Sequence, residues 1–353
     1  MIDSALLARR ARLEPLLESA RAIANGASEF GAYARHRLGA SSGLSPEGVD
    51  FALKRCLETE PSEAALEALL RSTRVAPGAH VLLSANVFVG THRAIAIALA
   101  ASSVVQVRAS RREPEMAELL LEGAPDSFVL RSELAPKPRD HLWAYGSDDT
   151  LRDVAASLEP GVILHAHGSG FGLAVLAGQP SDAEREQLLS KLAEDIALFD
   201  QRGCLSPRAL LVTAGPEFAR EVAQELATCL EAIEARVPRG RLDPGEAAEI
   251  TAYRDAAAYA GELFEAGRGF VSTNASTDWL LPPVGRNLHV LPTRNVLETI
   301  SSLTAFVTAC AISSDAAMRH AIARALPDAR CCEFGAMQAP PFDGPVDRRK
   351  PKF

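Results

Sequence analysis

The amino-acid sequence predicts a doubly wound α/β protein, in which a parallel sheet is flanked by crossover helices. Short apolar runs alternate with helix-like segments of about ten residues from His80 onward, as parallel strands joined by helices do. The chain has 353 residues, enough for one large domain or for two to three lobes. Apolar residues make up 47% of it and aromatic residues only 5%, which favours aliphatic packing and many helices.

The N-terminal part is predicted to be helical. Leucines at helical spacing indicate helix within residues 4–37, and Ala40 to Ser45 is a turn of small residues. Ser45 is suited to cap the next helix and Pro46 to stand in its first turn. Another helix is predicted over 62–73.

Strands and helices then alternate. The predicted strands are His80 to Leu83, Ser103 to Val107, Phe128 to Leu130, Leu142 to Tyr145 and Gly161 to His165. The helices between them are Thr91 to Ala101, Pro114 to Leu121 and Asp149 to Leu158. A helix over 181–199, a strand from Ala209 to Thr213, a helix over 217–234, a polar and less regular segment, and a third α/β stretch from Val271 to Arg324 follow.

Charge and hydropathy exclude several classes of partner. The net charge of −8 and the pI of about 5.6 argue against a nucleic-acid surface, which needs clustered Lys and Arg. The longest apolar stretch, Ala94 to Val105, is too short to cross a bilayer, and no secretory signal is recognisable. A cytoplasmic protein that binds neither nucleic acid nor membrane is expected. One basic cluster is predicted to be a solvated tail, and its members are Arg348, Arg349, Lys350 and Lys352.

The six cysteines include no C-x-x-C pair and no spacing to histidine that suggests zinc. Neither a metal site nor a disulfide framework is therefore expected. Cys229 and Cys310 fall in apolar patterns that are interpreted as helical, and Cys331-Cys332 is interpreted as a strand with one side chain facing inward and one outward.

The sharpest local motif is Gly203-Cys204-Leu205-Ser206-Pro207. Glycine before cysteine gives the backbone room to turn and lets a carbonyl approach the sulfur. A thiolate there can attack a carbonyl or thioester and form a covalent intermediate. From spacing alone, the alternative of a cysteine that merely fills the core stays open.

The stretch from Phe199 to Pro207 closely resembles the catalytic loop of the acyl-CoA reductases of bacterial bioluminescence, members of the aldehyde dehydrogenase superfamily. Phe334 to Pro341 resembles that family's closing Gly-x-Met-x-x-Pro segment. The resemblance implies N-terminal helices with a Rossmann-like NADP-binding domain over 1–198, an α/β catalytic domain over 199–325 and a C-terminal return or bridging segment over 326–353. It also implies a homodimer or higher homo-oligomer.

The resemblance further implies reduction of a small-molecule acyl-CoA thioester to an aldehyde by NADPH, through an acyl-cysteine on Cys204. Asn86 and the Cys204 N–H would form the oxyanion hole. His165 stands where related dehydrogenases carry the glutamate that activates water. His167 is two residues later and would face the same side of the strand. Without that carboxylate, attack of water on the acyl-enzyme loses its general base, and CoA can compete as the acyl acceptor. Either histidine can deliver a proton or help to hold Cys204 as a thiolate.

The residues assigned to NADP(H) by this resemblance follow three strands. Arg111 stands where NAD-preferring relatives often carry an acid, so phosphate binding, and NADPH rather than NADH, is predicted. The full set is Arg108, Ser110, Arg111, Gly146, Ser147 and Gly168. Two alternatives remain open at this point: an aldehyde- or semialdehyde-oxidising dehydrogenase on the same scaffold, and a non-catalytic relative.

Overall fold

Five helices precede the first strand in the computed structural model, which describes residues 4–275 and 280–349. They are α1 (Ser4–Ala11), α2 (Glu14–Ala24), α3 (Glu29–Ser42), α4 (Pro46–Cys56) and α5 (Glu63–Ser72). The helical stretch predicted over 4–37 is thus divided among three helices, because Pro15 opens α2 and Asn25-Gly26 follows its end. Ser45 caps α4 through the Gly48 N–H at 3.0 Å, as predicted.

The first sheet has five parallel strands in the order β3-β2-β1-β4-β5, which is half of a doubly wound fold. Its elements in chain order are β1 (Ala79–Leu82), α6 (Gly90–Ala101), β2 (Val105–Arg108), α7 (Glu115–Gly123), β3 (Val129–Leu130), β4 (His141–Tyr145), α8 (Asp148–Ser157) and β5 (Ile163–His167). Helix α6 is almost wholly buried, and its alanines and isoleucines join the N-terminal helices and this sheet in one core.

The second sheet has seven strands in the order β12-β11-β6-β7-β10-β9-β8. Its elements are β6 (Phe171–Leu176), α9 (Asp182–Ala197), a 3-10 helix (Leu198–Gln201), β7 (Pro207–Val212), α10 (Pro216–Arg236), α11 (Pro244–Ala260), β8 (Glu262–Ala266), β9 (Gly269–Thr273), β10 (Asn287–Pro292), α12 (Val296–Ser301), β11 (Val307–Ser313), α13 (Ala316–Ala325) and β12 (Arg330–Cys332). Among the described strands, only β8 and β9 pair antiparallel.

The sheets divide earlier than the domain boundary predicted at residue 198. Strand β6 and helix α9 already belong to the second sheet and its core. Strand β12 also joins that sheet, beyond the boundary predicted at residue 325. Both differences arise because sheet membership follows hydrogen-bond pairing across the chain, which sequence patterns along the chain do not record.

Two local expectations differ from the structure. The segment expected to be polar and irregular after α10 holds the 17-residue helix α11 and the β8–β9 hairpin. Cys310 lies in strand β11 rather than in a helix. Cys331 is exposed and Cys332 packs against the core, as predicted for neighbouring strand residues.

The connection between the sheets determines where a site can form. Only three residues, 168–170, link the carboxyl end of β5 to the amino end of β6. The carboxyl edge of the first sheet therefore meets the amino edge of the second, and the loop that precedes β7 lies at this junction. Within the described residues, no helix is long and apolar enough to cross a membrane, and no group of three or more His, Cys, Asp or Glu side chains is arranged to hold a metal.

Candidate active site

Cys204 lies in a tight turn immediately before β7. The Ser206 N–H donates to the Gly203 carbonyl at 3.0 Å and closes the turn. A Cβ on Gly203 would lie 3.0 Å from Cγ2 of Val87, so a larger residue would press on that loop. The close approach brings the loop that carries Asn86 against the cysteine turn, and Asn86 itself is exposed.

The backbone before Cys204 is held in an unusual conformation. Phe199, Asp200 and Gln201 have φ angles of 55°, 49° and 70°, in the left-handed region that side chains disfavour. Each such residue costs on the order of 1–3 kcal/mol, so surrounding contacts must hold it. The Gln201 amide donates to the carbonyls of Pro207 and Asn287 at 2.7 and 2.6 Å, and its oxygen accepts the Asn287 N–H at 2.8 Å.

A buried ion-pair network reinforces the same segment. Arg286 contacts the Asp200 carboxylate through Nη2 at 2.8 Å and through Nε at 3.0 Å. Its Nη1 binds Glu234 at 2.8 Å and the Val237 carbonyl at 2.6 Å. The Arg286 and Asp200 side chains are only 2% and 1% exposed. This network fixes the approach to the nucleophile, and no spacing in the sequence indicated it.

The two predicted histidines occupy different surroundings. His165 stacks on Trp143 with ring centroids 4.7 Å apart, and its Nε2 lies 3.2 Å from Nδ1 of His141. Burial lowers the pKa of His165 to about 4, and the neighbouring His141 lowers it further. His167 instead stacks on Tyr145 at 4.7 Å, at the end of β5. Both of its ring nitrogens are buried, and burial lowers the pKa of His167 while the charge and the backbone of Asp347 raise it.

The C-terminal segment, residues 340–349, covers the junction between the sheets. Arg93 on α6 donates to the carbonyls of Pro340, Pro341 and Gly344 at 2.6, 2.7 and 3.1 Å. Arg330 at the start of β12 donates to the carbonyls of Pro345 and Val346 at 2.6 and 2.9 Å. These contacts bind the segment to both halves of the molecule.

The prediction of a solvated basic tail is wrong for Arg349. Its side chain is 8% exposed and pairs with Asp347, which is 5% exposed. Arg349 is ordered because its guanidinium also donates to backbone carbonyls of the 168–170 loop and of Ala305. Arg348 is half-exposed and pairs with Asp343 at 2.8 Å. Lys350 and Lys352 lie outside the described residues.

This arrangement sets the ionisation of the thiol. Burial raises the pKa of Cys204 to about 12, with the charge of Asp347 raising it further and that of Arg349 lowering it. Burial likewise raises the pKa of Tyr145, on which the charges of Cys204 and Asp347 also act. Tyr145 stacks on His167, and the charges of Asp347 and Arg349 act on both Cys204 and His167. These five residues are called here the cysteine cluster. A proton acceptor is needed before the buried sulfur can react.

The residues assigned to NADP(H) lie at the carboxyl edge of the first sheet. Arg108 ends β2 and is half-buried, whereas Arg111 is exposed, and neither forms an ion pair with any described residue. The Ser110 hydroxyl accepts the Arg112 N–H at 3.2 Å within this turn. Two uncommitted guanidinium groups after β2 suit a phosphate.

The turn before α8 suits a phosphate less well. Gly146 precedes Ser147, whose hydroxyl accepts the Thr150 N–H at 3.3 Å and caps the helix. The first turn of α8 carries Asp148 and Asp149, which oppose an anion at this helix end. Asp148 also accepts the Ser169 N–H at 2.8 Å, in the loop that Gly168 begins. The fit to a dinucleotide is therefore better at the β2 turn than here.

A cleft of about 390 Å³ lies elsewhere, at the carboxyl ends of β6, β7, β10 and β11. Its lining includes Gly178, Arg294 and Asp315. Cys204 precedes β7, so this cleft lies at the opposite end of the second sheet from the nucleophile.

Comparison with known proteins decides the family. The model of the acyl-CoA reductase family LuxC matches residues 130–347, which is more than half of the chain. The chain belongs to the LuxC acyl-CoA reductase family. No curated protein matches its sequence. The matched region includes β5, the cysteine turn and the C-terminal segment as far as Asp347.

Solved structures show the fold of this LuxC-family chain. An oxidoreductase from Marinobacter aquaeolei superposes with a TM-score of 0.71 at 13% identity, covering 94% of this chain and 79% of that one. Gamma-glutamyl-gamma-aminobutyraldehyde dehydrogenase from Burkholderia cenocepacia J2315 gives 0.69 at 16%, covering 92% and 76%. Lactaldehyde dehydrogenase from Escherichia coli gives 0.69 at 12%, covering 93% and 79%.

These similarities confirm the predicted fold class, an aldehyde dehydrogenase-like α/β protein. Family and fold together support oxidoreductase activity on aldehydes or acyl-CoA thioesters with a nicotinamide cofactor. The assignment of individual site residues, the preference for NADPH and the subunit number remain predictions.

Proposed function

We propose that this LuxC-family protein reduces an acyl-CoA thioester to an aldehyde with NADPH, through an acyl group carried on Cys204. One observation carries the proposal. The tight turn of Cys204, braced by the buried Arg286 network, packs against the Asn86 loop and against Gly172 at the start of β6, which follows β5 after three residues. This is the junction at which a carbonyl, a cofactor and a nucleophile can meet.

The oxyanion is assigned to two donors. Attack of sulfur on a thioester places negative charge on the carbonyl oxygen, which must be stabilised where it forms. The Cys204 N–H stands in the turn, and the exposed Asn86 is next to Val87, whose side chain contacts Gly203. Both positions suit donors to the same oxygen.

The residues at the end of β5 favour a thiol rather than water as the acyl acceptor. The strand closes with His165-Ala166-His167 and provides no carboxylate to activate water. His165 is engaged with Trp143 and His141. His167 lies in the cysteine cluster and is the better candidate for moving a proton between Cys204 and the CoA sulfur.

NADPH binding is assigned to the carboxyl edge of the first sheet. Arg108 and Arg111 would hold the 2′-phosphate, while Ser110, Gly146, Ser147 and Gly168 would line the rest of the cofactor. When bound, the nicotinamide supplies the hydride that takes the acyl group to the aldehyde level. Asp148 and Asp149 at the start of α8 would repel the cofactor phosphates, so these phosphates are assigned nearer the β2 turn.

Several other properties also remain proposals. The fold family pairs subunits through its C-terminal element, so a homodimer or higher oligomer is proposed here, in the cytoplasm. The acyl donor is a small molecule, and no nucleic acid or membrane takes part.

The test is oxidation of NADPH, followed by absorbance, with a panel of acyl-CoAs and with NADH run in parallel. Acyl-CoA-dependent oxidation is expected, and Cys204→Ala is expected to abolish it because the acyl acceptor is gone. Cys331→Ala, which removes an exposed cysteine on the edge strand β12, is the matched control and keeps full activity.

Three results would overturn the proposal. Full activity of Cys204→Ala would remove the covalent route. Reduction of NADP⁺ on adding an aldehyde, without turnover of any thioester, would assign the protein to the aldehyde-oxidising alternative. A wild-type Cys204 inert to alkylation and to every substrate would favour the non-catalytic alternative.

A further inference from the structure

One glutamine side chain is hydrogen-bonded directly to the cysteine turn from a distant part of the chain. Gln338 lies in the loop between β12 and the C-terminal segment, residues 333–339, called here the closing loop. Its Nε2 donates to the Ser206 hydroxyl oxygen at 2.8 Å and to the Asp195 backbone carbonyl at 3.3 Å. Because the Ser206 N–H closes the turn that carries Cys204, the glutamine is bonded to the end of that turn.

Both partners in the bond between Gln338 and Ser206 are buried. Ser206 is fully buried, and Gln338 is 6% exposed. A buried amide or hydroxyl that loses its partner cannot turn to water instead, so the bond constrains the geometry of both groups. The Gln338 amide oxygen also lies against the start of the turn, since a Cβ on Gly203 would be 3.6 Å from it. The amide therefore contacts the turn at both ends.

A buried aspartate fixes the closing loop that presents Gln338. Asp195, near the end of α9, is fully buried, and its carboxyl oxygens accept the Gly335 N–H at 2.7 Å and the Met337 N–H at 3.2 Å. These two bonds hold the backbone on both sides of Ala336, immediately before Gln338. The glutamine is therefore carried by backbone that is itself held in place.

The closing loop and the cysteine turn also pack tightly against β6. A Cβ on Gly172, the second residue of β6, would collide with the Leu205 carbonyl oxygen and would lie 2.5 Å from Cε of Met337. Strand β6, the turn and the closing loop are therefore in close contact at one point. Because closely packed interiors transmit displacements, a shift of the closing loop would move the turn.

We propose that Gln338 is a positioning residue for acyl transfer, which acts through the Ser206 hydroxyl to hold the direction of the Cys204 sulfur and N–H. The proposal rests on the proposed function. In that reaction the sulfur bonds to the thioester carbon, the bond from that carbon to the CoA sulfur breaks, and the thiol proton leaves with CoA. The sulfur and the N–H must both point at the same carbonyl group, so a small rotation of the turn slows the reaction. The Arg286 network fixes the backbone before the nucleophile, and Gln338 fixes the backbone after it.

The experiment measures the single-turnover release of CoA without NADPH, over a range of acyl-CoA concentrations. Gln338→Met keeps the length of the side chain and removes the amide, and the rate at saturation is expected to fall by about 10- to 100-fold. The half-saturating concentration is expected to stay near the wild-type value, because the buried amide does not contact the substrate. Ser206→Ala removes the acceptor of the same hydrogen bond and is expected to show the same loss.

A double variant and a control separate positioning from a general loss of stability. If Gln338 acts through the Ser206 hydroxyl, the variant with both substitutions loses no more rate than the slower single variant. Thr273→Val is the matched control, because it removes another buried hydrogen bond of the second sheet, from the Thr273 hydroxyl to the Val290 carbonyl at 2.9 Å. It is expected to lower the free energy of unfolding and to keep the wild-type rate of CoA release.

The outcomes separate two failures. If the wild type releases no CoA from any acyl-CoA, or if Cys204→Ala still releases it, the proposed function is wrong and this proposal falls with it. If release depends on Cys204 but Gln338→Met or Ser206→Ala keeps the wild-type rate, Gln338 does not position the nucleophile. Losses that multiply in the double variant, or an equal loss in Thr273→Val, would assign Gln338 to stability alone. Circular dichroism checks folding, and if Gln338→Met does not fold, the rate of Ser206→Ala decides the proposal.

Discussion

Two buried ion pairs flank Cys204, and they differ in what they hold. Asp200–Arg286 joins the end of α10 and the start of β10 to the backbone that leads into the nucleophile. Asp347–Arg349 links two residues of the C-terminal segment, rests on the 168–170 loop, and places both of its charges near the Cys204 thiol. The first determines where the sulfur is, and the second determines which charges surround it.

The position and the ionisation of the nucleophile are therefore controlled by separate parts of the chain. A left-handed run of three residues cannot persist without the network behind it. The high pKa of the thiol, in contrast, arises from burial and from the Asp347 carboxylate on the C-terminal segment. Stability should therefore respond to the first pair and pH dependence to the second.

The largest effect on stability is expected from Arg286→Ala. It removes the main partner of the buried Asp200 carboxylate, which keeps Arg202 at 3.6 Å and the Gly240 N–H at 3.0 Å, and the expected loss is about 3–5 kcal/mol. The free energy of unfolding from urea titration measures the loss. Arg349→Gln is expected to cost less than about 2 kcal/mol, because the backbone N–H of residue 349 still donates to the Asp347 carboxylate. Equal losses in the two variants would contradict the division of roles.

The largest effect on catalysis without a change in stability is expected from Asn86→Ala. Removal of one oxyanion donor lowers kcat by about 10²–10³-fold. The side chain is exposed, so the free energy of unfolding should stay at the wild-type value. Steady-state kinetics with an acyl-CoA measures the effect, and an unchanged kcat would remove Asn86 from the site.

The smallest effect is expected from Arg111→Ser, which touches neither ion pair. Loss of one phosphate contact, about 1.4 kcal/mol, lowers kcat/KM for NADPH by about 10-fold and leaves that for NADH unchanged. Arg112→Ser is the control, because Arg112 is close to Asp243 at 3.7 Å. Equal losses with both cofactors would show that Arg111 does not read the 2′-phosphate.

The sequence predicted the sheets and the cysteine turn because both leave local signals. Alternating apolar runs and helices indicated parallel strands, and Gly203-Cys204 indicated a turn with a nucleophile. Helix α11 left no such signal, since only Ala257 of its 17 residues is buried and no apolar face is needed. Cys310 was assigned to a helix because a short, fully buried apolar run fits helix and strand alike.

The charged parts of the candidate site could not be predicted, for a different reason. Asp347 and Arg286 are far from Cys204 along the chain and meet it only through folding. Arg349 belongs to a basic cluster in the sequence, and such clusters usually lie on the solvent-exposed surface. The family resemblance supplied Asn86, His167 and Arg111 as expectations, but gave no indication that residues beyond the closing Pro340-Pro341 would enter the site.

The most direct test of the account is the intact mass of the protein after mixing with an acyl-CoA in the absence of NADPH, followed by peptide mapping. A mass gain of one acyl group on the peptide that carries Cys204, with an equal amount of CoA released, is predicted. No gain in mass, or an acyl group on one of the other cysteines, would contradict the central claim that Cys204 is the acyl carrier.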